Sequence, residues 1–161
     1  MPVEPDPIPH DPNAFPFRTE VRVRLSETDA VGIVYFGSFC TYMDVGRMDY
    51  LNHLRLARLD GPVRGLAPGA VVGTRLRFHS PARYNDVVAI HVRVADLGRS
   101  SYTFQFLLTR KTGNAPVDVV ATGELTLVWL DDDFRPVALP DDFRKTIEVF
   151  QAGETFQARE R

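Results

Sequence analysis

Between residues 70 and 130 the sequence lays down four strand patterns in succession with only tight turns between them, which leaves little choice of architecture. The first covers about 70–79 and stops before Ser80-Pro81. The second, about 86–95, alternates Val88, Ile90, Val92 and Val94 against Val87, Ala89, His91 and Arg93. Leu97-Gly98 turns the chain. The third, about 101–111, puts Tyr102, Phe104, Phe106 and Leu108 on one face and Thr103, Gln105 and Thr109 on the other. Thr112-Gly113-Asn114 turns it again, and a long β-branched stretch runs over about 117–130. Period-2 alternation punctuated by turn residues is the signal of strands. Strands joined by such short turns must pair antiparallel.

A helix precedes them. Phe39, Tyr42, Met43, Gly46 and Tyr50 recur at helical spacing over about 38–54, and Val45, Met48 and Leu51 add apolar residues on a second stripe. A helix apolar over so wide an arc is expected to be largely enclosed. A further strand, about 19–26, enters ahead of it, and a short helix over about 141–151 closes the pattern. The fold class predicted is α+β: a five-stranded antiparallel sheet around one long helix. Residues 18–152 form the domain. Residues 1–17, rich in proline and acids, read as an extended or disordered arm, 153–161 as a tail, and 55–69, with Gly61-Pro62 and Pro68-Gly69, as a linker or lid.

Bulk properties narrow the function. At 161 residues the chain suits a single domain with a sizeable core. A net charge of −2 argues against nucleic acid as the principal partner. Lys111 and Lys145 are its lysines, so the cationic side chains are nearly all arginine. The lone cysteine, Cys40, excludes an internal disulfide and a cysteine-based zinc site, and reads as a small packing residue on the helix. A cytoplasmic location fits that cysteine usage, and no apolar run reaches the roughly 20 residues of a membrane span. His79 and His91 lie in strand patterns with no metal-ligand spacing, and no metal is expected.

The segment that carries chemistry is Ser26-Glu27-Thr28-Asp29-Ala30-Val31-Gly32-Ile33-Val34-Tyr35-Phe36. It sets carboxylates just ahead of a helix. Acids in that position ordinarily act as caps. A helix start also presents unpaired N–H groups that can hold a developing oxyanion. The run Ile33-Val34-Tyr35-Phe36 is too apolar for a merely solvated loop, and Gly32 permits positive φ.

Asp29 through Phe36 resembles the loop-helix signature of the 4-hydroxybenzoyl-CoA thioesterase family, a hotdog-fold group. Asp44 and Arg47 on the helix and Ser80-Pro81-Ala82-Arg83-Tyr84-Asn85-Asp86 between strands resemble it too. Ala138-Leu139-Pro140 is similar to the end of the Tol-Pal-associated acyl-CoA thioesterases of that family. The resemblance implies a hotdog fold, a homodimer with a continuous sheet and often a homotetramer. It also implies hydrolysis of acyl-CoA at subunit interfaces. Asp29 matches the family carboxylate, as nucleophile or as general base. Phe36 matches the position whose backbone N–H polarises the thioester carbonyl. Many relatives carry His or Tyr there, and a Phe side chain shuttles no proton, so Asp29 acts alone or with Tyr35, Glu27 or a partner residue. Glu27 otherwise reads as an outward loop acid.

One carboxylate and one helix start suffice for this reaction, because a thiolate is a good leaving group. Gly32, Ile33, Val34, Tyr35 and Phe39 would line the acyl site. Arg83, Arg99 and Arg110 would meet the phosphates of coenzyme A, which belongs to the substrate, so no separate cofactor is expected. Asp44 and Arg47, three residues apart on one helix, read as a local pair. Two other functions stay open: an acyl-thioester-binding module without turnover, and a hotdog hydratase or dehydratase.

Overall fold

The computed structural model describes residues 6–57, 69–113 and 115–153. Its elements run β1 (Phe17–Arg22), α1 (Ser38–His53), β2 (Ala70–Phe78), β3 (Val87–Leu97), β4 (Ser101–Arg110), β5 (Asp118–Val128) and α2 (Asp141–Gln151). The five strands form one antiparallel sheet in the order β1-β3-β4-β5-β2. The helix and strands expected from the sequence occur in the expected order along the chain, but β2 does not pair with β3 as a succession of short turns required: residues 79–86 carry the chain from one edge of the sheet across to β3, and β2 pairs with β5 instead. The predicted lid falls largely on 58–68, outside the described residues.

One face of the sheet carries α1. Tyr42, Met43, Tyr50 and Leu51 of the helix are fully buried against Val88, Ile90, Val92, Phe104 and Phe106. Burying each such side chain stabilises the fold by about 1.5–3 kcal/mol. Gly46 makes the approach possible: a Cβ there would lie 2.7 Å from Ile90 Cγ2 and 3.1 Å from Val92 Cγ2. The opposite side of α1 is open. Cys40, Thr41 and Asp44 are exposed and Val45 and Met48 half-buried, so within one chain the helix is covered on one side, not enclosed. Cys40 is therefore a surface thiol and not the packing residue its neighbours implied.

The other face is covered by an element the sequence reading left unstructured. Residues 6–16 lie on the sheet, where an extended or disordered arm was expected. Ile8 and Phe15 bury themselves against Leu107, and Pro12–Ala14 makes one 3-10 turn. Proline has no N–H to donate to a strand ladder, but it does not prevent apolar neighbours from lying across a sheet. His91, Gln105, Thr109 and Thr122 are consequently buried despite their polarity.

α2 closes one end of the sheet. Phe143 and Ile147 are buried, and Phe143 meets Trp129 with ring centroids 4.9 Å apart. Gln151 exchanges two hydrogen bonds with the Val94 backbone, and Arg144 donates to the carbonyls of Leu97 and Gly98. At the sheet's edge β2 is exposed along most of its length, with Val71, Val72 and Phe78 at least half open.

Candidate active site

Past β1 the chain makes a 3-10 turn, Leu25–Glu27, which turns Glu27 inward. Its side chain is only 12% exposed. Oε1 accepts from Arg24 Nε at 2.8 Å; Oε2 accepts from the Arg24 N–H at 2.9 Å and from the Tyr42 hydroxyl at 2.7 Å. Burial alone would raise the Glu27 pKa. The bonds from the Arg24 backbone, from Tyr42 and from the Arg24 side chain outweigh it and hold the carboxyl below its usual value. Burial and the same bond push the Tyr42 hydroxyl far above its ordinary value. Glu27 is thus not the outward loop acid of the sequence reading. It is the anchor of the loop, both oxygens taken, with none left for a proton transfer.

Asp29 stands two residues on, at the turn of a small hairpin. Thr28 and Val34 bridge its arms. The Gly32 N–H donates to the Asp29 carbonyl at 3.0 Å and the Asp29 N–H to the Ile33 carbonyl at 2.9 Å. Gly32 has φ +82°, which favours glycine. Asp29 is half-buried, and among the described residues its carboxylate accepts one bond, from the Val31 N–H at 2.9 Å. Val34 is buried and tied to the Ala82 carbonyl. Ile33 is half-buried.

The hairpin runs straight into α1. The Tyr35 N–H and the Ser38 hydroxyl both donate to the Glu27 carbonyl, at 2.8 and 3.1 Å. The N–H groups of Ser38, Phe39 and Cys40 are used by the carbonyls of Tyr35, Phe36 and Gly37. No side chain caps the helix. Among the described residues the N–H groups of Phe36 and Gly37 find no acceptor. The Tyr35 ring lies over Gly37, where a Cβ would approach it to 2.5 Å, and stands 4.5 Å from the Phe36 ring. Tyr35 and Phe36 are 47% and 63% exposed. Phe39 is buried and packs on Phe78, ring centroids 5.3 Å apart.

The arginines divide. Arg110 is held by Asp86 at 2.8 Å and Asp118 at 3.0 Å. Those bonds, the Asp86 one foremost, raise its pKa. Arg83 is exposed beside the hairpin's anchor at Ala82, and its backbone N–H donates to Asp86. Arg99 is exposed beyond the far end of β3, the strand's whole length from Arg83, roughly 35 Å at strand rise. One chain therefore cannot bring Arg83 and Arg99 to one ligand. Asp44 and Arg47 form the expected pair, at 2.6 and 3.0 Å, with Arg47 itself buried. Two surface concavities, one bounded by Arg93, Gln105 and Gln151 and the other by Glu20, His91 and Lys111, do not include Asp29.

Residues 23–147 match the thioesterase-like superfamily. The chain belongs to this superfamily. Among thioesterase-like relatives, it is 27% identical over 125 residues to the acyl-CoA thioester hydrolase YbgC of Escherichia coli O6:H1, covering 77% of this chain and 90% of that one. It is 26% identical over 131 residues to the 4-hydroxybenzoyl-CoA thioesterase of Pseudomonas sp. strain CBS-3, covering 80% and 87%. A thioesterase of Thermus thermophilus, solved with coenzyme A and Zn, superposes with a TM-score of 0.73 at 28% identity, over 86% of this chain and 97% of that one. The resemblance read from the Asp29–Phe36 segment and the hotdog fold it implied therefore hold.

The thioesterase-like match takes in the hairpin, α1, the other four strands and most of α2. It leaves out β1 and the N-terminal segment that covers the outer face. The residue that sequence reasoning missed at the site is Tyr42. Its helical spacing pointed to core or to the wall of an aryl pocket; its hydroxyl, aimed at Glu27 fifteen residues earlier, fixes the Asp29 loop to the helix.

Proposed function

We propose that this chain hydrolyses acyl thioesters of coenzyme A to the free acid and the thiol. The observation that carries the reading is the pairing of Asp29 with an uncapped helix start. The carboxylate of half-buried Asp29 sits on a hairpin that leads directly into the free N–H groups of Phe36 and Gly37. The relatives' activities support the same class.

The thioester carbonyl would lie between the two groups. Asp29 takes a proton from water as its oxygen attacks the carbonyl carbon. The Phe36 N–H receives the oxyanion, a role worth about 2.7–4 kcal/mol when well aimed. The C–S bond then breaks, the thiolate leaves, and the acid forms. In the covalent variant the Asp29 carboxylate attacks first and water cleaves the resulting anhydride. Tyr35, Phe39, Val34 and Ile33 would wall the acyl group, with Gly32 giving it room. Arg83, exposed beside the hairpin's anchor at Ala82, is the guanidinium offered to a phosphate. Arg110 is engaged by two carboxylates, and Arg99 would serve only across a subunit boundary.

Assembly completes the proposal. The long exposed edge of β2 is a template for pairing with a second copy, which would make a homodimer with one continuous sheet and, by a second contact, a homotetramer. Val71, Val72 and Phe78 support that reading as exposed apolar groups on the strand.

Thiol release from a panel of aryl and aliphatic acyl-CoAs tests the function. Release with at least one member supports it; tight binding without release would favour a binding module, and hydration without release a hydratase. Single-turnover hydrolysis in ¹⁸O-water separates the mechanisms, because only the covalent path leaves label in the Asp29 carboxylate.

A further inference from the structure

On the sheet face opposite α1, three metal-binding side chains converge that the thioester site does not use. Asp6 and His10 come from the N-terminal segment and His79 from the end of β2. Their ligating atoms all lie within 4.8 Å of one another. Asp6 Oδ2 is 3.3 Å from His10 Nε2 and 3.2 Å from His79 Nε2. The two imidazoles meet edge to face at 4.8 Å. Thr122 on β5 donates its hydroxyl to the same Asp6 oxygen and lies 3.0 Å from His79 Nε2. Its neighbour Gly123 faces Met43 of α1, so by alternation Thr122 faces the outer side.

We propose that Asp6, His10 and His79 bind one divalent ion of the zinc class, which clamps the N-terminal segment to the sheet. The donor set is right: two imidazoles and a carboxylate suit zinc, whereas magnesium and calcium take oxygen ligands. The spacing is right as well. Ligands 2.0–2.1 Å from a tetrahedral ion stand about 3.3–3.4 Å apart, which the two Asp6–His separations nearly match. Both Nε2 atoms lie beside one carboxylate oxygen, so an ion seated there draws on ligands already gathered. The Ile8 N–H donates to the other oxygen of Asp6, Oδ1, at 3.1 Å and orients the carboxylate from behind, as the outer partners of metal ligands do. Asp6 is 10% exposed at its side chain, while His10, at 45%, can swing in to complete the set. Ile8, between the first two ligands, is already buried against the sheet, so the segment is delivered to the site by packing. The fourth position is open to water.

Titration of the chelator-treated full chain with Zn²⁺, by calorimetry, tests this. The expected result is one ion per chain, with affinity at least roughly tenfold weaker in both His10→Ala and His79→Ala, since losing even an outer partner costs that much. Zn²⁺ should also slow amide exchange over residues 8–15 in the wild type and not in His79→Ala. His10 is exposed, so its variant folds regardless and keeps the test decisive. No Zn²⁺ binding by the wild type would overturn the proposal and leave a hydrogen-bonded clip without metal. Unchanged affinity in the variants would overturn it too, assigning the ion to Cys40 or His53.

Discussion

Tyr42 gives its hydroxyl to Glu27 at 2.7 Å, and through that bond the first turns of α1 hold the loop on which Asp29 stands. Its consequence is that the loop has no position independent of the helix. A charge-assisted bond of this kind contributes about 1.5–3 kcal/mol. Tyr42→Phe should cost that order of stability in denaturant titrations and lower thioester turnover, with the acyl pocket intact. A variant as stable and as active as the wild type would mean the loop is held by Arg24 alone.

The same carboxylate sets an acid limit. Glu27 is held below its ordinary value of 4.5 in the folded chain. A depressed folded pKa contributes stability that is fully present above the unfolded value and lost as pH falls through the folded one. Asp6 and Asp86 shift the same way, through bonds from Thr122 and from Arg110 that outweigh their burial. Thermal melts should therefore be level from neutral pH to about 5 and fall steeply below about 4.5, less steeply in Tyr42→Phe.

Gly46 is where the helix touches the sheet most closely. Gly46→Ala puts a methyl 2.7 Å from Ile90 Cγ2 and 3.1 Å from Val92 Cγ2, against side chains that are fully buried. Overpacking of this kind costs about 1–3 kcal/mol, more than the helix propensity gained, about 1 kcal/mol. Chemical denaturation should show a net loss; a stabilised variant would show that α1 can shift outward freely.

Arg83 and Arg110 should separate under substitution. Arg83→Gln should raise KM for acyl-CoA several-fold with kcat nearly kept, the signature of lost ground-state binding. Arg110→Gln should instead lower stability, because Asp86 and Asp118 lose their shared partner, and leave KM close to the wild type. The opposite outcome would move the phosphate site to Arg110.

The sheet was legible because its pattern is local. Tyr102, Phe104, Phe106 and Leu108 fall on one face by alternation alone, and all four are buried. Leu107 broke that alternation on the polar face, and it is the residue on which Ile8 and Phe15 settle. The covering of the outer face was illegible because it joins residues far apart in the chain through a proline-rich segment without periodicity. Asp6, His10 and His79 were missed for the same reason, since their proximity exists only after the segment docks. At the site, Asp29 and the helix start were readable as neighbours in sequence. The inward turn of Glu27 was not, because it depends on a hydroxyl from the far side of the hairpin. The second apolar stripe of α1 predicted more burial than the single chain provides, because the sheet covers one side of the helix and leaves Val45 and Met48 half-buried on the other.

The central claim is that the Asp29 carboxylate drives thioester hydrolysis at the start of α1. Asp29→Asn is close to isosteric and keeps an oxygen for the Val31 N–H, so the variant should melt with the wild type, within about 0.5 kcal/mol. Its kcat on the best acyl-CoA of the panel, followed by thiol release, should fall by roughly 10²–10⁴-fold. An Asp29→Asn protein that releases coenzyme A at the wild-type rate would contradict the account.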